Sequence, residues 1–505
     1  MKILSAKQQQ KADKFTIENE PISSLDLMER AATISFEWII KQDFKDKTFH
    51  IFCGIGNNGG DGLVIARLLK LEDFDVKCYV VHFSDKCSAD FESNQSRLEE
   101  VGLSINHISA EEHFNWIIEK EDIIIDALLG TGTTRPAEGI LAKTINLLNH
   151  KNATIISIDL PTGMFCDTPN EKEDVIISAD FTLTFSNPKL SFFLTPYEDF
   201  IGELVVLDIG LDKKYIDQLE TINYATFSEE VGLIIKSRSK SSHKGSFGHS
   251  LIIAGAQGKY GAAILATQAA IRSGTGLCSV MCPQNGHDIL QITSPEAMVI
   301  KNTGKEVLQK LDNYSIFKNK TIGIGPGIGT ESDTLSLLID ILKNTIEPMV
   351  IDADALNLIS NNPKLLEYIP KNSVLTPHPK EFQRLVGLPD NSFHRLQKQK
   401  AFSKKHKLIV VLKGHHTSIT CPSGNVHFNT TGNAGMATGG AGDVLTGIIT
   451  GLLAQKYKPL LAAILGVYLH GLAGDLALQK IGYHALKAQD IIENLPASFC
   501  IFEKE

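Results

Sequence analysis

The chain is predicted to fold as two α/β domains with mostly parallel sheets. Its 505 residues exceed the usual size of one domain, which is about 150 residues. In both halves short β-branched runs alternate with amphipathic stretches. A polar, basic, serine-rich segment at 236–246 (KSRSKSSHKGS) marks a junction. We place the boundary after residue 222, giving segments 1–222 and 223–505. A single domain with one long surface loop is the alternative, and the chain length disfavours it.

Each half supplies its own set of predicted strands. The first half offers TFHIFCG, DVKCYVV, DIIIDAL, ATIISIDL and FTLTFS. The second offers SLIIAGA, LCSVMCP, TIGIGPG, PMVIDAD, SVLTPH and LIVVLKG, followed by a hairpin over TSITCPSGNVHFN. Two long apolar helices are predicted at about 442–455 and 458–480.

Composition and charge exclude several classes of protein. With 43% apolar and 21% charged residues, the chain is typical of globular proteins rather than of disordered ones. The net charge of −9 argues against general binding to nucleic acid or to anionic membranes. The longest apolar run, 460–469, is too short to span a bilayer, and 1–14 lacks a secretory signal. None of the eight cysteines forms a C-x-x-C pair, so we expect buried free thiols in a cytoplasmic protein.

Three loops of the first half follow predicted strands and carry polar residues. They begin at Gly54 (GIGNNGGDG), at Asp126 (DALLGTGT) and at Asp159 (DLPTG). In parallel sheets ligands bind where loops leave the carboxyl ends of the strands. The first loop contains G-x-G-x-x-G, but Asp61 would repel a phosphate and the next strand ends without an acidic residue, so an ordinary dinucleotide site is disfavoured.

The polar residues of these loops allow two interpretations. Asp61 could simply cap the helix that follows, and Asp126 and Asp159 could be turn-forming residues. Taken together, carboxylate, amide and hydroxyl oxygens at neighbouring strand ends favour a small-molecule site with a hard cation. Asn58, Asp126 and Thr162 could supply the cation ligands, which would leave Asp61 or Asp159 for proton transfer.

NNGGDG, DALLGTG, SIDLPTG and LMERAA together resemble the N-terminal domain of the bifunctional NAD(P)H-hydrate repair enzymes. The resemblance spans about residues 1–220. It implies a Rossmann-like three-layer α/β/α domain that interconverts the R and S forms of NADHX and NADPHX, the cofactors hydrated at C6. It also implies proton transfer by Asp159, and a potassium ion held by Asn58, Asp126 and Thr162, where many relatives have serine at the last position. The residues implied in substrate binding are Asn57, Asn58, Gly59, Gly60, Asp61, Gly130, Thr131, Gly132, Thr133, Thr134, Arg135, Pro136 and Asp159.

In the second half, a glycine-rich segment at 433–443 (NAGMATGGAGD) precedes an apolar helix. Glycines before a helix leave backbone N–H groups free to bind an anion, and the helix dipole assists. Asp443 could cap the helix, or it could act as the base that prepares a hydroxyl for phosphorylation. No G-x-x-x-x-G-K-[ST] motif occurs in the chain.

This segment resembles the glycine-rich turn of the ribokinase-like superfamily. With KGSFGHSLIIAGAQGKYGAA, GIGPGIG, LTPHPKEF and LKGHHTSIT, residues 225–505 resemble the dehydratase domain of the same repair enzymes. The turn has Ala441 where others often have threonine or serine. The resemblance implies a ribokinase-like α/β/α domain that dehydrates the S hydrate with ADP (or ATP) and Mg²⁺. It implies that the hydrated cofactor is contacted by Ala262, Gly327, His378 and Asp443, and the nucleotide by Lys413, Gly414, His415, His416, Thr417 and Gly442.

Several alternatives remain open at the level of sequence. His378, between two prolines, could be purely structural, and Asp352 and Asp354 could serve structure or function equally well. One rival function is a ribokinase-type small-molecule kinase fused to a non-catalytic Rossmann-like binding module. Another is a scaffold or RNA-associated module, which the acidic charge disfavours. We expect small-molecule partners only, no nucleic acid or membrane, and a homo-oligomer.

Overall fold

The computed structural model describes residues 1–503, and its residues cluster in two compact units. The N-terminal unit comprises Lys2–Thr221 with Asn391–Phe393. The C-terminal unit comprises Met1, Ile222–Asp390 and His394–Glu505. Both are mixed α/β folds with largely parallel sheets, so the predicted fold class is confirmed.

The N-terminal unit is built on a parallel sheet of seven strands, ordered β3-β2-β1-β4-β5-β6-β7. The strands are β1 Thr48–Cys53, β2 Asp75–Val81, β3 Ile105–Ile108, β4 Ile123–Ala127, β5 Thr154–Ile158, β6 Phe181–Phe185 and β7 Glu203–Leu207. The helices are α1 Ala6–Asn19, α2 Ser24–Ile39, α3 Asn57–Leu71, α4 Ala89–Glu100, α5 Gly139–Asn149, α6 Glu198–Ile201 and α7 Lys213–Gln218.

Helices cover both faces of this sheet because alternate strand residues point to opposite sides. Phe49 and Ile51 of β1 pack in one core with α2, α3 and α4. Phe52, the next residue, packs on the other side with α5. The strand order reverses between β1 and β4, which opens a crevice at the carboxyl ends of these strands.

The C-terminal unit is built on a ten-stranded sheet, ordered β11-β10-β9-β12-β13-β14-β15-β16-β17-β8. Its pairs are parallel except for β15–β16 and β16–β17, which are antiparallel. The strands are β8 Asn223–Thr226, β9 His249–Ile253, β10 Leu277–Cys282, β11 Met298–Lys301, β12 Thr321–Ile324, β13 Val350–Ile351, β14 Val374–Leu375, β15 Ile409–Leu412, β16 Ser418–Thr420 and β17 Val426–Asn429. The helices are α8 Ser228–Ile234, α9 Tyr260–Arg272, α10 His287–Thr293, α11 Ser332–Asn344, α12 Ala353–Asn361, α13 Pro379–Val386, α14 Ser392–His406, α15 Ala441–Ala454, α16 Pro459–Ile481 and α17 Ala488–Cys500.

This sheet is also enclosed on both faces. Val350 and Val374 pack in a core with α15, α16 and α17. Ile351 and Leu375, their neighbours in sequence, pack with α11 and α12. The strand order reverses between β9 and β12, so a second crevice forms there.

The apolar run 460–469 lies within the long helix α16 of the C-terminal unit. Helix α16 has 23 residues and a mean hydropathy of 1.6 in its most apolar window, so by length and composition it could cross a membrane. However, 67% of that window is buried, as in the core helix of a folded unit.

The expectation that the cysteines are buried needs correction. The cysteines are all free, but Cys87 and Cys500 are exposed, because neither lies in a core strand or on a packed helix face.

Candidate active sites

A cavity of about 780 Å³ lies at the crevice of the N-terminal unit. Asn57, Asn58, Asp61 and Asp159 line it, as does the whole loop 130–136. These residues were singled out together from sequence. The predicted contacts Gly59 and Gly60 do not line the cavity.

The structure corrects the expected NNGGD loop. Helix α3 begins at Asn57, with Gly56 at the N-cap position, so Asp61 lies inside the helix and does not cap it. The glycines serve close packing instead of loop flexibility. A Cβ on Gly59 would lie 1.8 Å from Gly54 O, and one on Gly60 would lie 2.5 Å from Met28 Sδ.

Asp159 forms a buried ion pair that the sequence did not reveal. Lys189 Nζ donates to Asp159 Oδ1 at 2.8 Å and to Thr184 Oγ1 at 2.8 Å. The lysine is 1% exposed, so loss of Asp159 would leave a buried ammonium group without its ion-pair partner. Asp159 has a φ of +65°, a strained backbone conformation for a residue with a side chain. The pair fixes Asp159 in the wall of the cavity.

The predicted cation ligands Asp126 and Thr162 are in direct contact. Thr162 Oγ1 donates to Asp126 Oδ1 at 2.6 Å, and Thr162 N donates to Asp126 Oδ2 at 2.9 Å. Ser157 Oγ donates to Asp126 Oδ2 at 2.8 Å. Burial raises the pKa of Asp126, while the hydrogen bonds from Thr162 and Ser157 lower it. Asn58 Nδ2 is buried without a partner among the described residues.

Two further carboxyl groups line the same cavity. Burial raises the pKa of Asp61 well above its usual value, and the charges of Asp159 and Asp13 raise it further. Burial also raises the pKa of Asp13 to about 6, opposed by its hydrogen bond from Gln9. The site therefore holds these two carboxyl groups and that of Asp159 beside the buried ammonium of Lys189.

The second site lies at the N-terminus of α15. Gly440, with a φ of +94°, occupies the N-cap position and places Asp443 in the first turn. Asp443 is half-buried and has no hydrogen bond or ion pair within residues 1–503, so the capping interpretation does not apply. Burial raises its pKa to about 6, the charge of Asp352 raises it further, and Lys413 opposes the shift.

A charged network lies beside Asp443. Asp352 is 1% exposed and accepts from Lys413 Nζ at 2.9 Å and from Thr446 Oγ1 at 2.7 Å. A Cβ on Gly442 would lie 3.3 Å from Lys413 Nζ, so the lysine reaches the glycine-rich turn. The geometry thus brings together Lys413, Gly442 and Asp443, and it adds Asp352.

Ala262 and Gly327 meet at the crevice between β9 and β12. A Cβ on Gly327, whose φ is +61°, would lie 3.2 Å from Ala262 Cβ. Close by, Asp354 Oδ2 accepts from Gly329 N at 2.9 Å and from Lys259 Nζ at 3.3 Å. Asp354 therefore anchors the loop that carries Gly327.

The predicted histidines have structural partners of their own. His378 Nδ1 accepts from Lys380 N at 3.1 Å and from Glu381 N at 3.3 Å, and so caps α13. His416 Nδ1 donates to Asn429 O at 3.0 Å, whereas His415 is exposed. In the same loop, Gly414 N donates to Thr417 Oγ1 at 3.3 Å. Ligand contacts by these residues stay predictions.

Comparison with known proteins covers the whole chain. The family model for the YjeF-related protein N-terminus matches residues 24–191, and that for NAD(P)H-hydrate dehydratase matches residues 250–497. The bifunctional NAD(P)H-hydrate repair enzyme Nnr of Moorella thermoacetica is 33% identical over 100% of this chain and 98% of its own length. Its counterpart in Escherichia coli is 33% identical over 93% of this chain and 88% of its own length.

Solved structures resemble the second half. A ribokinase-like superfamily protein from Enterococcus faecalis is 30% identical, with a TM-score of 0.48, over 56% of this chain and 98% of its own. An ADP/ATP-dependent NAD(P)H-hydrate dehydratase from Bacillus subtilis, co-crystallised with ATP/Mg²⁺, is 30% identical, with a TM-score of 0.47, over 55% of this chain and 97% of its own. From the full-length relatives, this chain belongs to the bifunctional NAD(P)H-hydrate repair enzymes.

Proposed function

We propose that the N-terminal unit epimerises R and S NAD(P)HX and that the C-terminal unit dehydrates the S form to NAD(P)H. Segments 1–222 and 223–505 then carry one activity each. The observation that carries this proposal is the half-buried Asp443, which has no partner among residues 1–503 and lies at a helix N-terminus beside Lys413. Matches to bifunctional relatives along the full chain favour two activities over a kinase fused to a non-catalytic module.

In the dehydratase, Asp443 is the proposed base. It takes the proton of the C6 hydroxyl as the oxygen attacks the terminal phosphoryl group of the nucleotide. The amides of the 439–442 turn, at the positive end of the α15 dipole, stabilise the charge on that group. The nucleotide leaves with one phosphate fewer. Phosphate then leaves C6 in place of hydroxide, driven by the lone pair of the ring nitrogen, and loss of a proton from C5 to water forms the C5–C6 double bond of the reduced cofactor.

Lys413 and the loop 413–417 are proposed to bind the nucleotide, with ADP as the donor and ATP as the alternative. Asp352 holds the lysine ammonium at 2.9 Å near the turn, so the charge is positioned for a phosphate. Among residues 1–503 no three His, Cys, Asp or Glu side chains group as metal ligands. We therefore expect Mg²⁺ to bind mainly through the nucleotide phosphates, whose charge it neutralises.

In the epimerase, the cavity beside loop 130–136 is proposed to hold the hydrated nicotinamide. Asp159 contacts the ring and serves in proton transfer, and Lys189 holds this carboxylate in position through a hydrogen bond of 2.8 Å. Arg135 is exposed at the cavity wall, where it can pair with cofactor phosphates.

The residues proposed for potassium suit a hard monovalent cation. Asp126 and Thr162 present oxygen atoms in direct contact, and the side-chain oxygen of Asn58 would be the third ligand. Asp126 already accepts four hydrogen bonds, including one from Leu128 N at 3.3 Å, so coordination requires that one of them is released. The ion would supply positive charge next to the ring site. A homo-oligomer located in the cytoplasm stays a prediction.

Two substitutions test the assignment of the activities. Asp443→Asn should abolish nucleotide-dependent recovery of NADH from the S hydrate and leave R/S interconversion unchanged. Asp159→Asn should abolish R/S interconversion and leave nucleotide-dependent dehydration of the S hydrate unchanged. Chromatographic separation of the epimers and absorbance of the reduced cofactor measure the two reactions. Dehydration at the wild-type rate by Asp443→Asn would exclude it as the base.

A further inference from the structure

The cavity of the N-terminal unit holds a carboxyl group that the reaction as proposed does not use. Asp13, on α1, lines the cavity together with Asp61 and Asp159. It was not among the residues singled out from sequence, because α1 carries no glycine-rich motif and does not follow a strand.

The hydrogen bonds of Asp13 leave one oxygen available. Asp13 Oδ1 accepts from Gln9 Nε2 at 3.1 Å, and Oδ2 has no partner among residues 1–503. The buried ammonium of Lys189 donates instead to Asp159 Oδ1 and to the oxygens of Thr184, Phe185 and Asn187. Within the described part of the chain, Asp13 therefore faces the cavity without a neutralising partner, whereas Asp159 has one.

The lack of a paired cation affects the proton affinity of Asp13. Burial raises the pKa of Asp13 to about 6, and the negative charge of Asp159 adds to the shift while Lys189 opposes it. Asp61 adds negative charge from α3, and the exposed Arg135 and Glu138 also line the cavity. Two carboxyl groups in such different environments suit an acid and a base acting on one substrate.

We infer that Asp13 is a second catalytic residue of the epimerase, the proton donor that works with Asp159 as the acceptor. The inference rests on the epimerase activity proposed above. Inversion at C6 requires the hydroxyl to leave one face of the ring and water to add to the other. One face therefore needs a proton donor and the other a proton acceptor, and α1 and the turn after β5 supply them separately.

The step balances with water as the only co-reactant. Asp13 donates its proton to the C6 hydroxyl, and the C6–O bond breaks with its electron pair leaving on water. The lone pair of N1 forms the N1–C6 double bond. A water adds to the opposite face, the electrons of that double bond return to N1, and Asp159 takes the proton of the added water. One proton has moved from Asp13 to Asp159, and the reverse epimerisation returns it.

Asp13→Asn in the full-length protein, assayed without nucleotide, tests this role. The asparagine keeps Oδ1 for Gln9 but has no acidic proton. We expect kcat for epimerisation to fall about 100-fold or more, the range for loss of a general acid, while KM and the thermal unfolding midpoint stay near wild type. The matched control is Glu18→Gln on the same helix, where an exposed carboxylate pairs only with Lys14. It should behave as wild type.

The outcomes separate this inference from the proposed function. If Asp159→Asn is inactive and Asp13→Asn stays within threefold of wild type, Asp13 is not the donor, although the proposed epimerase site stands. If both variants epimerise normally, the site itself is wrong.

The pH profile of the wild-type enzyme tests the same inference without depending on whether a variant folds. Wild-type kcat/KM should fall about tenfold per pH unit above about 6, as Asp13 loses its proton. Asp13→Asn should remove that fall. A wild-type profile that is flat from pH 6 to pH 8 would overturn the inference.

Discussion

At the residue scale, the environment of Asp443 predicts how dehydration depends on pH. Burial raises its pKa to about 6, and a base must be ionised to act. Wild-type kcat/KM for dehydration should therefore fall about tenfold per pH unit below about 6 and level off above it. This is opposite in direction to the dependence expected for epimerisation. Initial-rate assays of dehydration from pH 5 to pH 8 measure this dependence. A constant rate below pH 6 would contradict the assignment of Asp443 as the base.

Substitution of Asp352 gives a second test of the role of Asp443. Its negative charge raises the pKa of Asp443. Asp352→Asn removes that charge while Lys413 keeps its own, so the acid limb of the dehydration profile should move to lower pH. Asp312→Asn, at an exposed carboxylate of the same unit, is the control and should leave the limb in place. An unchanged limb in Asp352→Asn would show that the two carboxylates do not interact.

The polar residues that could be selected from sequence follow strands or begin a helix, and ligands of parallel sheets bind at these positions. Asp159, Asp443 and Lys413 are of this kind. The pairings that sequence reasoning missed join residues distant in the chain. Lys189 reaches Asp159 across 30 positions, and Lys413 reaches Asp352 across 61. Such pairings depend on tertiary packing, although a lysine just after strand β6 was a usable signal.

At the element scale, the start of α15 depends on one glycine. Gly440 has a φ of +94°, and a Cβ there would lie 2.5 Å from Leu265 Cδ1. Gly440→Ala should lower the free energy of unfolding by about 1–3 kcal/mol, since the left-handed conformation alone costs about 1–2 kcal/mol for a residue with a side chain. Differential scanning calorimetry of the full chain measures the change.

Gly439 provides the matched control for that substitution. It is the preceding residue, and a Cβ there would meet nothing within 4 Å. Gly439→Ala should change the free energy of unfolding by no more than about 0.5 kcal/mol. Equal unfolding midpoints for the two variants would show that the conformation of Gly440 does not limit the turn.

Strands and helices with strong periodicity could be predicted, whereas helix starts could not. The two predicted apolar helices correspond to α15 and α16 within about one residue. Helix α3 began at Asn57, earlier than expected, because Gly59 and Gly60 allow its first turns to pack against Gly54 and Met28. The glycines were interpreted as a loop because composition alone does not distinguish flexibility from close packing.

At the scale of the whole molecule, strand order determines where each site lies. The strand order reverses between β1 and β4 in the first sheet and between β9 and β12 in the second. The predicted site residues gather at the crevices that form there. Sequence alone predicted two α/β units but not these orders. The short strands β3, β8 and β11 were missed because each has only four residues and little apolar patterning.

The central claim is that one chain carries two separate sites acting in sequence, and complementation tests it directly. The R hydrate is incubated with nucleotide and with Asp159→Asn, Asp443→Asn or an equal mixture of the two. We predict that neither variant alone regenerates NADH above the uncatalysed background, and that the mixture does, because one variant epimerises and the other dehydrates. If either variant alone regenerates NADH at the wild-type rate, or if either has lost both activities while folded, the account is wrong.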